Sequence, residues 1–224
     1  MSTNADRRAE LQAQRAADLA GLIADLLPGL TGEERALDAG AGTGALSEAI
    51  ASLVREVVAV EIDAELAERA RADLPANVEV VVGDAEHLPF EQASFDLAGT
   101  LRVLHHTRRP ELVVAELARV VRPGGTILVA DQLAPVDPLA AFELNRFERA
   151  RDASTTRILS EGDLRALFDA NGFVLRREKI VSETRDLDWY LDLAGCEGDE
   201  RERAKTLAPP GYTADLGWFV LTRP

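Results

Sequence analysis

Residues 37–44 read Leu37-Asp38-Ala39-Gly40-Ala41-Gly42-Thr43-Gly44, with glycines at alternate positions between a short apolar run and a helical stretch. Glycine permits a sharp turn and lets a ligand approach main-chain atoms that a Cβ atom would shield. Glu61 ends the next apolar run. In a doubly wound sheet these two strand ends lie side by side, so Glu61 can accept hydrogen bonds from a ribose diol. The stretch predicts an adenosine-type ligand bound at a strand-to-helix turn.

The glycine spacing alone admits two classes of cofactor. Gly40-x-Gly42-x-x-Ala45 also satisfies the dinucleotide fingerprint with alanine in the third position. A pyrophosphate would be repelled by Asp38, whereas S-adenosylmethionine carries a sulfonium and an ammonium that a carboxylate favours. Charge therefore favours S-adenosylmethionine, and a turn needed only for tight packing is the remaining alternative.

Short apolar runs alternate with helical stretches along most of the chain, which is typical of an α/β fold with a parallel sheet. Pro75, the turn at 122–125 and Asn171-Gly172 end three of the helices. The predicted strands are 36–37, 57–60, 78–82, 95–100, 126–130, 173–181 and 216–222. The predicted helices are 7–27, 45–54, 64–73, 110–121 and one that the capping box Ser160-x-x-Asp163 opens.

We expect one domain over residues 1–224, since no repeat or Gly/Ser linker interrupts the pattern. Residues 1–30 are expected to form a helical lid and residues 31–131 the cofactor-binding core. Residues 132–172 would be an inserted helical substrate segment, and residues 173–224 would form C-terminal strands and helices.

Composition narrows the class of protein further. The 224 residues are 46% hydrophobic and 29% charged, and no stretch of about 18 residues is free of charge, which argues against a membrane span. A net charge of −14 makes nucleic acid a poor partner. Cys196 has no second cysteine to pair with, and the polar opening residues do not form a signal peptide. These features predict a cytoplasmic protein whose partner is not nucleic acid.

Asp84 and Ala85 follow the third predicted strand, whose carboxyl end borders the same crevice. The Asp84 carboxylate could accept the exocyclic amine of adenine while the Ala85 amide donates to a ring nitrogen. An aspartate that caps a short turn is an equal alternative.

Several motifs together resemble those of the class I S-adenosylmethionine-dependent methyltransferases. They are 38–44, Glu61, 83–90, 95–97 and 117–125, in that order and spacing. Within the class the chain is most similar to the ubiquinone/menaquinone-biosynthesis type, through Leu104-His105-His106 and through the pattern from Asn145 to Ser160.

The resemblance implies a Rossmann-like sheet of seven strands, mostly parallel, with an antiparallel pair at one edge. It also implies the residues that bind S-adenosylmethionine: glycines beneath the cofactor, Glu61 at its ribose, Asp84 and Ala85 at its adenine, and Leu101 beside it. The full predicted set is Asp38, Gly40, Gly42, Gly44, Glu61, Ile62, Asp84, Ala85 and Leu101. The chain departs from its relatives at Thr155, where they often carry histidine, and in lacking an aromatic-rich opening motif.

Methyl transfer from a sulfonium is an in-line displacement that needs positioning and, for some acceptors, a base near neutral pH. His105 and His106 follow the fourth strand and are the candidate bases, with His105 preferred; packing roles are the alternative. His87 is interpreted as structural. Catechol-type relatives with this fold bind magnesium through carboxylates after the fourth and fifth strands. Here Thr100-Leu101-Arg102 occupies the first of these places and Asp131 alone is not a metal site, so the resemblance implies that no metal is bound.

Arg102 is a cation placed directly after a buried strand, which is costly without a partner. We expect it to pair with Glu148 or Asp152, or to meet an anionic group on the substrate. Asn145 and Arg149 are further candidate substrate residues, and Arg151 and Arg157 could complete a positive lining. The aromatic residues Phe142, Phe147, Trp189 and Trp218 could wall an apolar pocket, although such residues more often lie in the core.

These features predict methyl transfer to carbon or oxygen of a small organic acceptor. The alternatives are a cofactor-binding module or repurposed catalyst that has lost the transfer reaction, and a nicotinamide dehydrogenase.

Overall fold

The computed structural model describes residues 17–209 and 211–224. Over those residues seven strands form one sheet in the order β3-β2-β1-β4-β5-β7-β6. The strands are β1 (Arg35–Ala39), β2 (Glu56–Glu61), β3 (Val78–Val82), β4 (Phe95–Leu101), β5 (Val121–Leu133), β6 (Val174–Thr184) and β7 (Thr213–Thr222). All neighbouring pairs from β3 to β5 are parallel, and β7 is antiparallel to both β5 and β6. The predicted seven-stranded, mostly parallel sheet with an antiparallel pair at one edge is confirmed.

Eight helices surround this sheet in the described ranges. They are α1 (17–26), α2 (Ala45–Ala51), α3 (Ala64–Asp73), α4 (Pro110–Val120), α5 (Pro138–Arg151), α6 (Glu161–Ala170), α7 (Leu187–Leu193) and α8 (Gly198–Leu207). Residues 7–16 of the predicted first helix lie outside the described part of the chain. The capping box at the start of α6 is formed by Ser160 and Asp163, as the sequence predicts.

The largest error in the predicted bounds is at β5. The turn predicted at 122–125 is part of that strand, with Gly124 at φ 76°. The Gly124 amide donates to the Arg223 carbonyl at 2.7 Å. The C-terminal residues therefore pair with the segment before residue 126, and the strand begins at Val121.

Apolar residues on the two faces of the sheet form two separate cores. One is covered by α4 and α6 and includes Leu117 and Phe168; the other is covered by α1 and α2 and includes Ile23 and Ile50. A third apolar cluster joins α5 to α7 and α8 beyond β5. The sequence order reverses between β1 and β4, which lie side by side, so the crevice at their carboxyl ends is the expected ligand site of a doubly wound sheet.

Candidate active site

The glycine turn lies between β1 and α2 and is held by its neighbour strand. Gly40, Gly42 and Gly44 have φ values of 80°, 57° and 91°, in the left-handed region that favours glycine. The amides of Gly40 and Ala41 both donate to the Val60 carbonyl, at 2.8 and 2.9 Å. The turn is therefore fixed to the end of β2.

The three glycines differ in what surrounds them. A Cβ atom at Gly40 would lie 2.6 Å from a Val103 methyl carbon, and one at Gly44 would lie 2.5 Å from a Leu74 methyl carbon. A Cβ atom at Gly42 would meet nothing within 4 Å. Gly40 and Gly44 are thus required by packing, whereas Gly42 borders the open space where a ligand can approach the backbone.

Glu61 connects the end of β2 to the turn. Its Oε2 accepts from the Gly42 amide at 2.7 Å, and its Oε1 accepts from the Asp63 amide at 2.9 Å. Each carboxylate oxygen can accept a further hydrogen bond, so a ribose diol could bind here without breaking these contacts. The adjacent Ile62 side chain is 67% exposed, which provides an apolar surface next to the carboxylate.

Asp38 is a buried carboxylate with one oxygen in use. Its Oδ2 accepts from the amide and hydroxyl of Ser47, at 3.0 and 2.7 Å, and so caps the first turn of α2. Its Oδ1 is buried and has no hydrogen-bond partner in the described chain. Burial raises the pKa of Asp38 to about 6, despite the two hydrogen bonds from Ser47. An orphaned buried acceptor beside an open glycine turn suits a cationic ligand group.

Asp84 lies in the turn after β3, and its two carboxylate oxygens have different surroundings. Its Oδ1 accepts from the Glu86 amide at 2.8 Å, the local turn that the sequence offered as one alternative. Its Oδ2 lies 3.7 Å from His87 Nδ1 on a half-exposed side chain. Ala85 is buried and packs into the core, and Leu101 is the last residue of β4.

His105 is held by Asp131 on β5. The Asp131 Oδ1 forms a short hydrogen bond with His105 Nδ1, and its Oδ2 accepts from the Leu104 amide at 2.7 Å. Burial alone would lower the pKa of His105, but the Asp131 carboxylate outweighs it and the pKa is raised. This pair fixes the segment that follows β4.

His106 has a different set of partners. The Ser154 hydroxyl donates to Asp152 Oδ1 at 2.5 Å and lies 2.9 Å from His106 Nδ1. A hydroxyl has one proton, so His106 Nδ1 is the donor to Ser154 and Nε2 carries the lone pair. Burial and the neighbouring His105 ring, 4.1 Å away, lower the pKa of His106. His106 is therefore a neutral imidazole at pH near 7, with Nε2 as its basic nitrogen.

Arg102 pairs with neither of the carboxylates predicted for it. Its guanidinium lies 3.6 Å from Glu183 on β6, and Arg185 lies 3.3 Å from the same carboxylate. Burial and Arg185 lower the pKa of Arg102. Arg102 also has a φ of 59°, a left-handed conformation that is rare for a residue with a side chain. The prediction failed because Glu148 is already paired with Arg151 at 2.8 Å.

The inserted segment does not form the positive lining expected from its sequence. Asn145 accepts from the Ile158 amide at 2.8 Å and donates to the Ala141 carbonyl at 2.9 Å, so its side chain holds the loop after α5. Arg151 is buried against Glu148, and Arg157 pairs with Asp163 at 3.0 Å. Arg149 is exposed and donates to the Thr156 carbonyl.

The aromatic residues divide between core and surface. Trp218 and Phe147 are fully buried, which corrects the expectation of a pocket wall for them. Phe142 is 56% exposed and lines a surface cleft of about 360 Å³ together with Asn145 and Arg149. Neither this cleft nor a smaller one of about 190 Å³ is lined by residues of the glycine turn or by the histidines.

Residues 17–209 and 211–224 contain no group of three His, Cys, Asp or Glu side chains that could hold a metal ion. No helix within them is long and apolar enough to cross a membrane.

The sheet order, the open glycine turn and the acidic residues at the carboxyl ends of β1, β2 and β3 define a nucleoside-binding α/β enzyme fold. A family model described as a methyltransferase domain matches residues 37–129. The uncharacterized methyltransferase YcgJ of Bacillus subtilis is 36% identical over 178 residues, which cover 78% of this chain and 70% of YcgJ. The chain belongs to the methyltransferases, in class I, whose cofactor is S-adenosylmethionine.

Two more comparisons agree with this assignment. The 27-O-demethylrifamycin SV methyltransferase of Amycolatopsis mediterranei is 30% identical over 206 residues, covering 88% of this chain and 74% of that protein. The solved structure of BH2331 from Bacillus halodurans, provisionally assigned as a methyltransferase, superposes with a TM-score of 0.84 at 25% identity. It covers 93% of this chain and 99% of its own. The chain is thus an S-adenosylmethionine-dependent methyltransferase, and the dehydrogenase alternative is wrong.

Sequence reasoning missed the residues that support the two histidines. Asp131 was considered only as a metal ligand, although a carboxylate near the end of β5 lies beside the segment after β4 in this sheet order. Asp152 was expected only as a partner of Arg102, and Ser154 only as part of a motif. The available signal was the pattern Asp-x-Ser, since the Asp152 carboxylate accepts from the Ser154 amide at 2.9 Å.

Proposed function

We propose that this enzyme methylates a hydroxyl oxygen of a small organic acceptor, with His106 as the general base. The observation that carries the proposal is the hydrogen-bond chain from Asp152 through Ser154 to His106 Nδ1. It leaves a basic Nε2 at the edge of the sheet where β4 ends. A hydroxyl acceptor must lose a proton, so a neutral imidazole serves it directly.

The chemistry divides between the cofactor and the chain. When bound, S-adenosylmethionine supplies a methyl group on a sulfonium, which an acceptor displaces without a covalent enzyme intermediate. We propose that Asp38, Glu61 and Gly42 hold its charged and sugar groups. The adenine would contact Ile62, Asp84 and Ala85, and Gly40, Gly44 and Leu101 would shape the site. The fit rests on the open space at Gly42 and on the unpartnered Asp38 Oδ1.

His106 Nε2 takes the proton from the acceptor hydroxyl as the new oxygen–carbon bond forms. The Asp152 carboxylate and the Ser154 hydroxyl keep Nδ1 as the donor, so Nε2 stays available to accept. In this proposal His105 is a positioning residue, because its Nδ1 is engaged with Asp131 and its raised pKa favours the protonated ring. This assignment reverses the preference for His105 given by the sequence.

A relative supports oxygen as the acceptor atom. The 27-O-demethylrifamycin SV methyltransferase aligns over 88% of this chain, and its name describes transfer to an oxygen. The sequence left carbon and oxygen open. A module that binds the cofactor without transferring methyl has no supporting observation.

The histidine variants test this proposal, because the chain has only three histidines. His106→Asn should lower the rate of methyl transfer to a hydroxyl acceptor by about 10²- to 10⁴-fold and remove the acid limb of the pH–rate profile. Affinity for S-adenosylhomocysteine should stay unchanged. His87→Asn, on a mostly exposed side chain near the adenine side, is the matched control. A His106→Asn enzyme with the wild-type rate and pH profile would refute the role of His106.

Arg102 is proposed to contact an anionic group on the acceptor. Arg102 and Arg185 share the single carboxylate of Glu183, which leaves an excess of positive charge near the end of β4. Arg102→Ala should raise KM for a carboxylate-bearing acceptor at least tenfold and leave KM for its methyl ester unchanged. Equal KM values for the acid before and after the substitution would remove this contact.

We further propose that residues 1–224 work as one methyltransferase domain in the cytoplasm. The supporting features are the buried free thiol of Cys196 and the net charge of −14, which disfavours a nucleic-acid partner.

A further inference from the structure

A small depression of about 190 Å³ lies between α5 and α8, away from the glycine turn and the histidines. Arg146 and Arg149 reach it from α5, and Arg203 reaches it from α8. Its remaining lining residues are Ala150 and Leu207, which are apolar. Three arginine side chains thus line one concave surface.

These arginines differ from others on the same helices because they have no carboxylate partner. Over 17–209 and 211–224, no carboxylate oxygen lies within 4 Å of the Arg146, Arg149 or Arg203 guanidinium. Arg146 lies over the Phe142 ring at 5.7 Å, and Arg149 donates to the Thr156 carbonyl at 3.2 Å.

Neighbouring arginines show that acidic partners are readily available. Arg151 on α5 pairs with Glu148, and Arg201 on α8 pairs with both Asp188 and Asp192. The chain carries 39 acidic residues against 25 basic ones. Arg146 and Arg149 lie three residues apart on one helix, where side chains of like charge are neighbours and repel each other. An unpaired cationic cluster in an acidic protein therefore points to an external anion.

The size and chemistry of the depression define the class of ligand. Its volume corresponds to about six water molecules at about 30 Å³ each, enough for a phosphate or diphosphate group. Guanidinium groups form paired hydrogen bonds with phosphate and carboxylate oxygens. Arg149 also lines the neighbouring cleft of about 360 Å³, whose wall includes Phe142 and Pro138, so a larger molecule could extend from the depression into that cleft.

We propose that the depression formed by Arg146, Arg149 and Arg203 is a binding site for a multivalent oxyanion, of the phosphate or diphosphate class. The site is separate from the proposed catalytic residues and does not rest on the proposed reaction. Binding should weaken as salt increases, since the charges are exposed and screened within about 10 Å at 0.1 M salt.

Calorimetric titration of the full-length protein with inorganic diphosphate at low salt tests the proposal. We expect millimolar or tighter binding, weakened at least tenfold in the double variant Arg146→Ala/Arg203→Ala. The matched control is Arg69→Ala/Arg176→Ala, which removes the same charge from exposed residues elsewhere. The absence of binding to wild type up to about 10 mM diphosphate would overturn the proposal, as would equal weakening in both double variants.

Two further measurements separate this site from the active site and identify the source of the anion. Affinity for S-adenosylhomocysteine should be the same in wild type and Arg146→Ala/Arg203→Ala, with both folded by circular dichroism. Titration with a nucleoside diphosphate distinguishes a free anion from a phosphorylated small molecule: tighter binding than inorganic diphosphate indicates use of the adjoining cleft. Weakened cofactor binding in the double variant would show that these arginines do not form a separate site and would refute the proposal.

Discussion

Replacing Asp38 by asparagine tests whether this buried carboxylate serves the cofactor at the expense of stability. Asp38 is 1% exposed, and its pKa rises from 3.8 to about 6 on folding, chiefly through burial. A carboxyl whose folded pKa lies above its unfolded value binds protons more tightly in the native state. Its effect on stability is therefore most favourable below about pH 4 and declines as pH rises to about 6 and above.

The size of this effect on stability follows from the difference of about two between the folded and unfolded pKa values of Asp38. At 1.36 kcal/mol per unit, the ionised Asp38 costs about 3 kcal/mol of stability at neutral pH relative to acid pH. Asparagine has nearly the same shape and does not ionise. The free energy of unfolding of Asp38→Asn relative to wild type should therefore grow by about 3 kcal/mol between about pH 4 and pH 7. The hydrogens of the introduced amide group would lack partners in the variant, but the resulting loss of stability is the same at each pH and does not change the pH dependence.

Urea unfolding at a series of pH values measures this difference, and calorimetry with S-adenosylmethionine measures its functional counterpart. We expect cofactor affinity at neutral pH to fall at least tenfold in Asp38→Asn, because the unpartnered Oδ1 would no longer carry charge. Near pH 6, binding of a cation to wild type should release a proton from Asp38. The measured heat should then depend on the ionisation enthalpy of the buffer.

Asp96→Asn is a control of opposite sign. Burial alone would raise the pKa of Asp96, but the Arg35 amide and the Arg122 guanidinium outweigh it and the pKa is lowered. The Asp96 carboxylate therefore stabilises the fold at neutral pH, and that contribution is lost as pH falls through its folded pKa. If Asp38→Asn showed the same pH dependence as wild type and bound the cofactor equally well, the reasoning about Asp38 would be refuted.

Substitutions at four positions have outcomes that the structure predicts. Gly42→Ala should weaken S-adenosylhomocysteine binding, measured by calorimetry, and should lower the free energy of unfolding by only about 1 kcal/mol. Gly40→Ala should unfold at a lower urea concentration than Gly42→Ala, because its Cβ atom would overlap the packed Val103 side chain. Arg102→Gly should be about 1 kcal/mol more stable to urea than Arg102→Ala, because alanine keeps the strained φ of 59°. Glu148→Gln should cost about 3 kcal/mol by the same assay, since it leaves the buried Arg151 with only the more distant Asp152 carboxylate, 3.7 Å away.

The parts of the fold that short-range interactions determine could be predicted from the sequence. The predicted bounds of α3 and β3 match the structure, because Asp63 caps α3 locally and proline follows its end. The same holds for the capping box of α6. The error at β5 arose because Gly124 bonds to Arg223, about a hundred residues further along the chain, and no local signal reports that pairing.

Burial of aromatic and charged groups was harder to predict for the same reason. Phe147 and Trp218 are buried by elements that lie far away in sequence, α7 and α8 for the first and the α1 face of the sheet for the second. The Glu148 carboxylate is held by Arg151 on its own helix but also by Gln132, Tyr190 and Tyr212. Arg102 meets Glu183 although β5 and β7 lie between β4 and β6 in the sheet, and no local signal reports that contact.

The two halves of the site differ in how they are built, and this difference has a functional consequence. The proposed cofactor residues lie in turns at the ends of β1, β2 and β3, where each polar contact is made within one strand-to-helix connection or to the adjacent strand. The acceptor edge combines segments from β4, β5, the loop after α5 and β6. Substitutions at 102, 106 or 154 therefore leave the turn after β1 intact. Acceptor preference should change independently of cofactor affinity, and binding measurements on the Arg102 and His106 variants separate the two.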